Sequence, residues 1–234
     1  MSTITDKLRQ YGVGRTLRFA LSELVQKLYF QTIVGSYSQS KEDLLIDKLT
    51  GYKKNGFYVD VGAHDPYRFS NTMRFYRRGW HGVNIEPDVA CFVRIDRVRT
   101  RDINLNIGVG EKRGKMEFFI VDPATLSTFS AVQAKAYQRQ GFRIVKKQKV
   151  AIFPLREIFH KHVGKGRIDF LSMDVEGFEM SVLRGNDWKR FRPQVLCIET
   201  ANADGRNIDA FLKTIGYIKV SDNGLNSLYT DART

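Results

Sequence analysis

Cysteine is scarce in this chain: Cys91 and Cys197 are two residues among 234. They lie far apart and neither belongs to a CxxC pair. A disulfide framework and a thiolate metal site are therefore excluded as organising principles, and two reduced thiols in a cytosolic protein are expected. Long apolar runs are also missing. No stretch of about 20 consecutive apolar residues occurs, so no membrane-spanning helix is expected. The first residues lack an apolar core followed by a small-residue cleavage site, so no secretory signal is expected either. Two glycine signatures are absent, the GxGxxG of dinucleotide folds and the GxxxxGK[ST] of phosphate-cradling loops. Acids are missing from one segment: Ala131 to Val150 carries Lys135, Arg139, Arg143, Lys146, Lys147 and Lys149 without a single Asp or Glu.

What remains is a globular composition, with 42% hydrophobic and 27% charged residues, long enough for one sizeable core. The formal charge is +13. Such a field attracts phosphates of any kind, whether on nucleic acid, nucleotide-sugars or anionic lipid. A second basic run, Arg94, Arg97, Arg99 and Arg101, is diluted by Asp96 and Asp102. Residues 1–35 form a separate element. Leu17, Leu21, Leu24, Val25 and Leu28 recur at helical spacing with Arg15, Arg18 and Lys27 among them, and Tyr29 and Phe30 extend the apolar side. This reads as an amphipathic helix that docks on its own domain, on a second copy in a homodimer, or on a membrane surface.

From residue 36 to 234 the pattern alternates. Ser40 is the expected cap of a helix carrying Leu44, Leu45, Ile46 and Leu49. The apolar run through Val59 stops at Asp60. Ser70, Asn71 and Thr72 supply caps for a short helix through Arg78, and Val83–Glu86 is the next strand. Pro87-Asp88 opens a helix to about Val98. Ile103–Ile107 is a third strand, with Asn104 and Asn106 on one face. Met116–Val121 reads as an extra strand. Residues 122–150 break the rhythm and read as a basic insertion. Val150–Phe153, Ile168–Met173 and Gln194–Ile198 are further strands. Helices are expected over Leu155–His162, Gly177–Leu183 and 206–215, the first ending in the helix-end histidines His160 and His162. Gly216–Val220 and Ser227–Thr230 close the chain as a hairpin. The expected fold is α/β: a mostly parallel, seven-stranded, Rossmann-like sheet with helices on both faces and a terminal antiparallel hairpin.

Asp60, Glu86, Asp174 and Glu199 each end an apolar strand. In a parallel sheet those ends share one edge, where nucleoside cofactors bind. Four acids in one crevice repel each other unless a cation or a donor-rich ligand sits among them. S-adenosylmethionine, with its sulfonium, ammonium and ribose diol, meets that requirement. The 26 residues from Asp60 to Glu86 leave room for a helix and a return strand, so Glu86 reaches the ribose as the acid of a dinucleotide fold does. Gly62-Ala63 lets backbone N–H groups approach the ligand.

Several segments together resemble the FkbM family of S-adenosylmethionine-dependent methyltransferases. They are Val59-Asp-Val-Gly-Ala63, Asn84-Ile-Glu-Pro87, the run from Ile168 through Asp174-Val-Glu-Gly177 to Glu179, Val182-Leu-Arg-Gly185 and Ile198-Glu199. Ser38-Gln39 with Glu42-Asp43 resembles a lead-in of members encoded with surface-polysaccharide genes. The resemblance covers roughly residues 36–200. It implies the class I methyltransferase fold and O-methylation, often of a sugar hydroxyl. It also implies that Asp60, Gly62 and Ala63 line the methionine part of the cofactor, Glu86 holds the ribose, Asn106 (rather than Asn104) lies near the adenine, Ser70 reaches the carboxylate, and Asp174 sits beside the sulfonium. His64 and Pro87, on the same two loops, complete the expected cofactor set.

Methyl transfer to a weakly acidic hydroxyl needs alignment and a base. The candidates are Asp174, Glu176 and Glu199. Because the cofactor engages Asp174, Glu176 or Glu199 is the favoured base, with His64 a further possibility. Glu179 shares a helix face with Glu176. No ligand spacing diagnostic of a metal is present, so none is expected. The expected acceptor is an anionic sugar, a nucleotide-sugar or lipid-linked saccharide, held by Lys146, Lys147 and Lys149, with Ser127 and Thr128 lining its pocket. The expected location is cytoplasmic, with residues 1–35 in peripheral contact with the inner face of the membrane. Two other readings compete. One is a nucleic-acid methyltransferase, against which stand the missing Asn/Asp-Pro-Pro-aromatic tetrad and the lack of a recognition domain, so no specific nucleic acid is expected. The other is a cofactor-free interaction module at a membrane surface.

Overall fold

Short apolar runs alternate with helices along the chain, and the runs assemble side by side. The computed structural model describes residues 13–14, 17–18, 21, 24–201 and 205–233. Strands β1 (Phe57–Val61), β2 (His81–Ile85), β3 (Ile103–Leu105), β7 (Phe170–Met173), β8 (Val195–Glu199), β9 (Tyr217–Asp222) and β10 (Asn226–Asp231) form a seven-stranded sheet. Its order is β3-β2-β1-β7-β8-β10-β9, parallel from β3 to β8, with β10 antiparallel to both β8 and β9. The order reverses between β1 and β7, which creates a crevice at the carboxyl ends of those two strands.

Alternation along each strand divides the core. Val59, Val61, Val83, Ile85, Leu171, Met173, Leu196 and Ile198 join one cluster, which α5 (Leu155–His162) covers with Leu155, Ile158 and Phe159. Tyr58, Phe170, Val195 and Cys197 point the other way, into a cluster with Phe75 and Trp80. On that second face the positions next to the crevice are polar: Asp60, Asn84 and Ser172 are all buried. The sheet therefore carries a hydrogen-bonding layer directly behind its ligand edge.

Residues 108–153 build a second sheet of three strands, ordered β4-β6-β5: β4 (Gly108–Val109), β6 (Arg143–Phe153) and β5 (Gly114–Asp122). Helix α4 (Ala131–Arg139) lies between β5 and β6 in sequence, with Ser130 capping it by accepting from Gln133 N at 3.2 Å. The region expected as an insertion thus holds ordered elements, and both of its strands run longer than read from sequence. Lysines on the solvent side of β6 hide the strand signal. Alternation puts Lys146, Gln148, Val150 and Ile152 on one face and Lys147 and Lys149 on the other, and the bulge at Val145 carries Ile144 to the second face. The three lysines expected to grip one phosphate therefore do not share a face.

Other helices are α1 (Glu42–Leu49), α2 (Met73–Arg77), α3 (Val89–Val98), α6 (Glu179–Arg184) and α7 (Gly205–Thr214). Ser40 does not cap α1. Lys41 holds the cap position at φ +68° and its side chain does not cap the helix, and Glu42 reaches back to accept from Ser40 N at 2.7 Å. Thr72 likewise leaves the start of α2 to Ser70, whose hydroxyl accepts from Met73 N at 3.1 Å.

The segment Gln26–Val34 is a π-helix, and Leu17, Leu21, Leu24, Val25, Tyr29 and Ile33 are exposed. Arg15 and the side chains of Lys27, Leu28 and Phe30 lie outside the described residues. Among the described residues no helix is long and apolar enough to cross a membrane.

Candidate active site

The crevice is shaped first by Gly62. Its φ is +84°, and a Cβ there would stand 1.8 Å from the carbonyl oxygen of Asp174. Only glycine lets the β1 turn pass this close to the β7 end. Gly62 N and Ala63 N both donate to Ile85 O, at 2.9 and 3.2 Å, while Asp174 N donates to Val61 O at 3.0 Å. These bonds tie the three strand ends together.

Glu86 is locked beside that turn. One carboxylate oxygen accepts from Asp88 N at 2.7 Å and the other from His64 N at 2.8 Å. Burial nonetheless pushes its carboxyl up to about 7. His64 itself sits at φ +45°, and burial lowers its imidazole, keeping it neutral. Asp60 is only 5% exposed and is raised by burial, against hydrogen bonds from Thr72 and Ser172.

Across the crevice, Asp174, Glu176 and Glu199 bring carboxylate oxygens within 4.8 Å of one another. Asp174 is exposed at the crevice rim, yet desolvation by its surroundings and then Glu176 raise its carboxyl, and Glu199 is raised by burial and then by Asp174. The two share a hydrogen bond. Both carboxyls are thus raised, and the two titrate as a pair that shares a proton. This spacing would also admit a divalent cation, although no spacing in the sequence announces one. Glu176 stands at φ +53°, its carbonyl accepting from the Thr128 hydroxyl at 2.8 Å and its carboxylate from the Tyr137 hydroxyl. Glu179 lies behind this loop. One of its oxygens accepts from Val175 N and Gly177 N, both at 3.2 Å, and the other has no partner.

These groups wall a cavity of about 330 Å³. Asp60, Gly62, Ala63, His64, Glu86, Pro87, Asp174, Glu176 and Glu199, all expected at the site, line it. Ser70 and Asn106 do not. The Ser70 hydroxyl is turned inward and accepts from Arg99 at 2.9 Å. The Asn106 carboxamide donates to the carbonyls of Glu86 and Pro87, at 2.8 and 3.1 Å, and so braces the turn from outside. Of the two expected acceptor residues, Ser127 lines the cavity and Thr128 supports Glu176. Sequence reasoning missed the apolar wall of Ile107, Phe118, Leu126 and Phe129, the carboxamides Gln39, Asn71 and Asn226, and Tyr137. Gln39 sits in the Ser38-Gln39 lead-in, which carried no site role, and the others sit in no family motif. The basic run was also misread: Arg99 is 2% exposed and belongs to the interior.

The family of the methyltransferase FkbM domain matches residues 60–219. None of the curated proteins compared matches the chain. Among solved structures, a candidate caffeoyl-CoA O-methyltransferase from Staphylococcus aureus has a TM-score of 0.50 at 9% identity, covering 91% of this chain and 98% of its own. The METTL16 MTase domain reaches 0.49 at 10% identity, covering 83% and 67%. A methyltransferase from Geobacter sulfurreducens reaches 0.45 at 14% identity, covering 91% and 86%. At such identities the first of these likenesses is one of fold alone.

Proposed function

The chain belongs to the FkbM methyltransferase family, and from that membership we propose that it methylates a hydroxyl oxygen of a saccharide. S-adenosylmethionine is its cofactor. The residues fit that group. Glu86 spends one acceptor site of each oxygen on a backbone N–H and keeps the others for a ribose diol. Asp60 and Asp174 offer negative charge to the cationic end, and the Gly62 turn leaves room where a Cβ would intrude. When bound, the cofactor supplies an electrophilic methyl group on a sulfonium.

The observation that carries the oxygen-acceptor reading is the Asp174–Glu199 pair facing the cavity. Asp174 titrates near neutrality, as a general base for a hydroxyl requires. In this reading Asp174, steadied by its hydrogen bond with Glu199, takes the acceptor proton rather than Glu199, which the sequence favoured jointly with Glu176. Tyr137 orients Glu176 beside them. The carboxamides of Gln39, Asn71 and Asn226 support a polyol, because each can both donate to and accept from hydroxyls. An anionic sugar is the acceptor we favour, its phosphate reached by the exposed Lys146 or Lys147. Screening methyl transfer from labelled cofactor to nucleotide-sugars and lipid-linked saccharides tests this. Transfer to a nitrogen acceptor, or to RNA alone, would reject the saccharide reading.

A further inference from the structure

We propose that Arg99 is a positioning residue for Asp60, acting through the hydroxyl of Thr72. The inference rests on the reading of Asp60 as part of the cofactor site. Arg99 follows α3 and its side chain is enclosed beneath the crevice floor. Its Nη2 donates to Thr72 Oγ1 at 2.9 Å and to Ser70 Oγ at 2.9 Å, with Pro66 O at 3.4 Å. Its Nη1 donates to the Tyr58 hydroxyl at 3.1 Å, and the guanidinium lies 4.8 Å from the Tyr76 ring centroid.

The guanidinium has no acceptor capacity, so Thr72 Oγ1 must receive from it. The threonine's own proton is then directed to Asp60 Oδ2, 2.8 Å away. A second relay runs parallel on the same acid. Asn71 Nδ2 donates to Ser172 Oγ at 3.0 Å, and Ser172 bonds Asp60. Two hydroxyls, each fed by an N–H donor, therefore converge on one buried carboxylate, and one of the two feeds is a full positive charge. Chains of this kind polarise each bond in them.

A purely structural arginine would put its fork on the nearest acid. Asp102 is that acid, at 3.7 Å, yet its oxygens are already served by Tyr58 Oη at 2.6 Å, Gly82 N at 2.9 Å and Asn84 Nδ2 at 2.9 Å. The fork points instead at the two hydroxyls below Asp60. Ser70, expected to reach the cofactor, is captured by the same fork. The charged and titratable groups around Asp60 are Arg99 and Asp102 on this side, Tyr58 on its own strand, Glu86 and Asp174 along the rim, and Cys197 on β8. Arg99 is the one cation among them, and its charge acts with the Thr72 and Ser172 hydrogen bonds, Thr72 foremost, to offset the burial of the Asp60 charge.

The test is the pH dependence of S-adenosylhomocysteine affinity, read by calorimetry between pH 5 and 8.5. Thr72→Val removes the relay hydroxyl and leaves Arg99 and its other partners. Its low-pH limb should move up by about one unit, giving about tenfold weaker binding at acidic pH that approaches wild type at pH 8.5. Thr72→Ser should overlay wild type, and Arg99→Met, where it folds, should shift at least as far as Thr72→Val. Glu86 and Asp174 titrate in all of these proteins, so the difference between curves isolates Asp60. A Thr72→Val curve lying on wild type, or displaced by the same factor at every pH, overturns the inference. Wild-type protein that binds no S-adenosylhomocysteine at any pH overturns the cofactor-site reading, and the inference with it.

Discussion

Replacing Glu86 by Gln separates what this acid does for the ligand from what it costs the fold. The carboxyl is raised from 4.5 to about 7 because burial outweighs its two backbone donors. The folded state therefore holds the proton more tightly than the unfolded state. The corresponding stability is fully present below pH 4.5 and is lost as pH rises through about 7. That shift is worth about 3 kcal/mol, an upper figure for a group this deeply placed. Gln abolishes the titration but turns an NH₂ toward the N–H of either His64 or Asp88, which forfeits one bond at about 1–3 kcal/mol. The variant should be clearly less stable than wild type at pH 5 and close to it, or more stable, at pH 8. Urea unfolding of the ligand-free proteins at the two pH values measures this, and Glu179, raised in the same direction, cancels in the comparison. In the same variant, affinity for S-adenosylhomocysteine should fall at least about tenfold, since a charged acceptor for the ribose diol is gone. An equal stability difference at both pH values, together with unchanged affinity, would refute the assignment of Glu86 as a buried acid kept for the ligand.

Other outcomes follow from the same geometry. Asp174→Asn should lower turnover at least about 100-fold while the protein still binds cofactor, and wild-type turnover should rise with pH through about 7; full turnover in the variant would remove Asp174 as the base. Gly62→Ala should destabilise the protein by about 3 kcal/mol or more, because a left-handed φ and a contact of 1.8 Å to Asp174 O add together. A melting temperature within a degree of wild type would contradict that crowding. The chain of residues 1–234 should sediment with vesicles containing anionic lipid more than with neutral ones, and a chain lacking residues 1–35 should lose the difference. Equal sedimentation of the two chains would assign the exposed Leu17, Leu21 and Leu24 to some other contact.

The parts of this molecule that were legible in the sequence are those fixed by short-range period. Asp60, Glu86, Asp174 and Glu199 end apolar runs of strand length, and strands running parallel must deliver their ends to one edge. The small residues after Asp60 announced a close approach but not its partner: the Gly62 and Ala63 N–H groups expected at the ligand both donate to Ile85 O, and what Gly62 makes room for is Asp174 O. Side chains whose partners lie far along the chain were not legible. Ser70 and Arg99 are 29 positions apart, so nothing local distinguishes a hydroxyl aimed at a ligand from one aimed at a buried guanidinium. Arg99 itself lay in a basic run, Arg94 to Arg101, that reads as part of a field for phosphates. Tyr137 reaches Glu176 across 39 positions from a segment whose lysines dominated its reading.

The distribution of charge constrains how an acceptor approaches. The chain as a whole is strongly basic, yet its cavity is walled by Asp60, Glu86, Asp174, Glu176 and Glu199. Arg68 is the single Lys or Arg among the described residues lining it. An outer positive field raises the encounter rate with an anionic molecule, while the inner acids repel that molecule's phosphate. An anionic acceptor can satisfy both only by entering with its neutral hydroxyl end and leaving the phosphate among lysines outside. Lys147 stands there already, 3.3 Å from Glu117 and 5.0 Å from the Phe119 ring centroid, so a phosphate must compete with that pairing. Exposed pairs of this kind are weak, on the order of 1 kcal/mol or less, and yield to a doubly charged partner. Steering by the surface and selection by the cavity are thus opposite in sign, and the segment from β5 to β6 is where one gives way to the other.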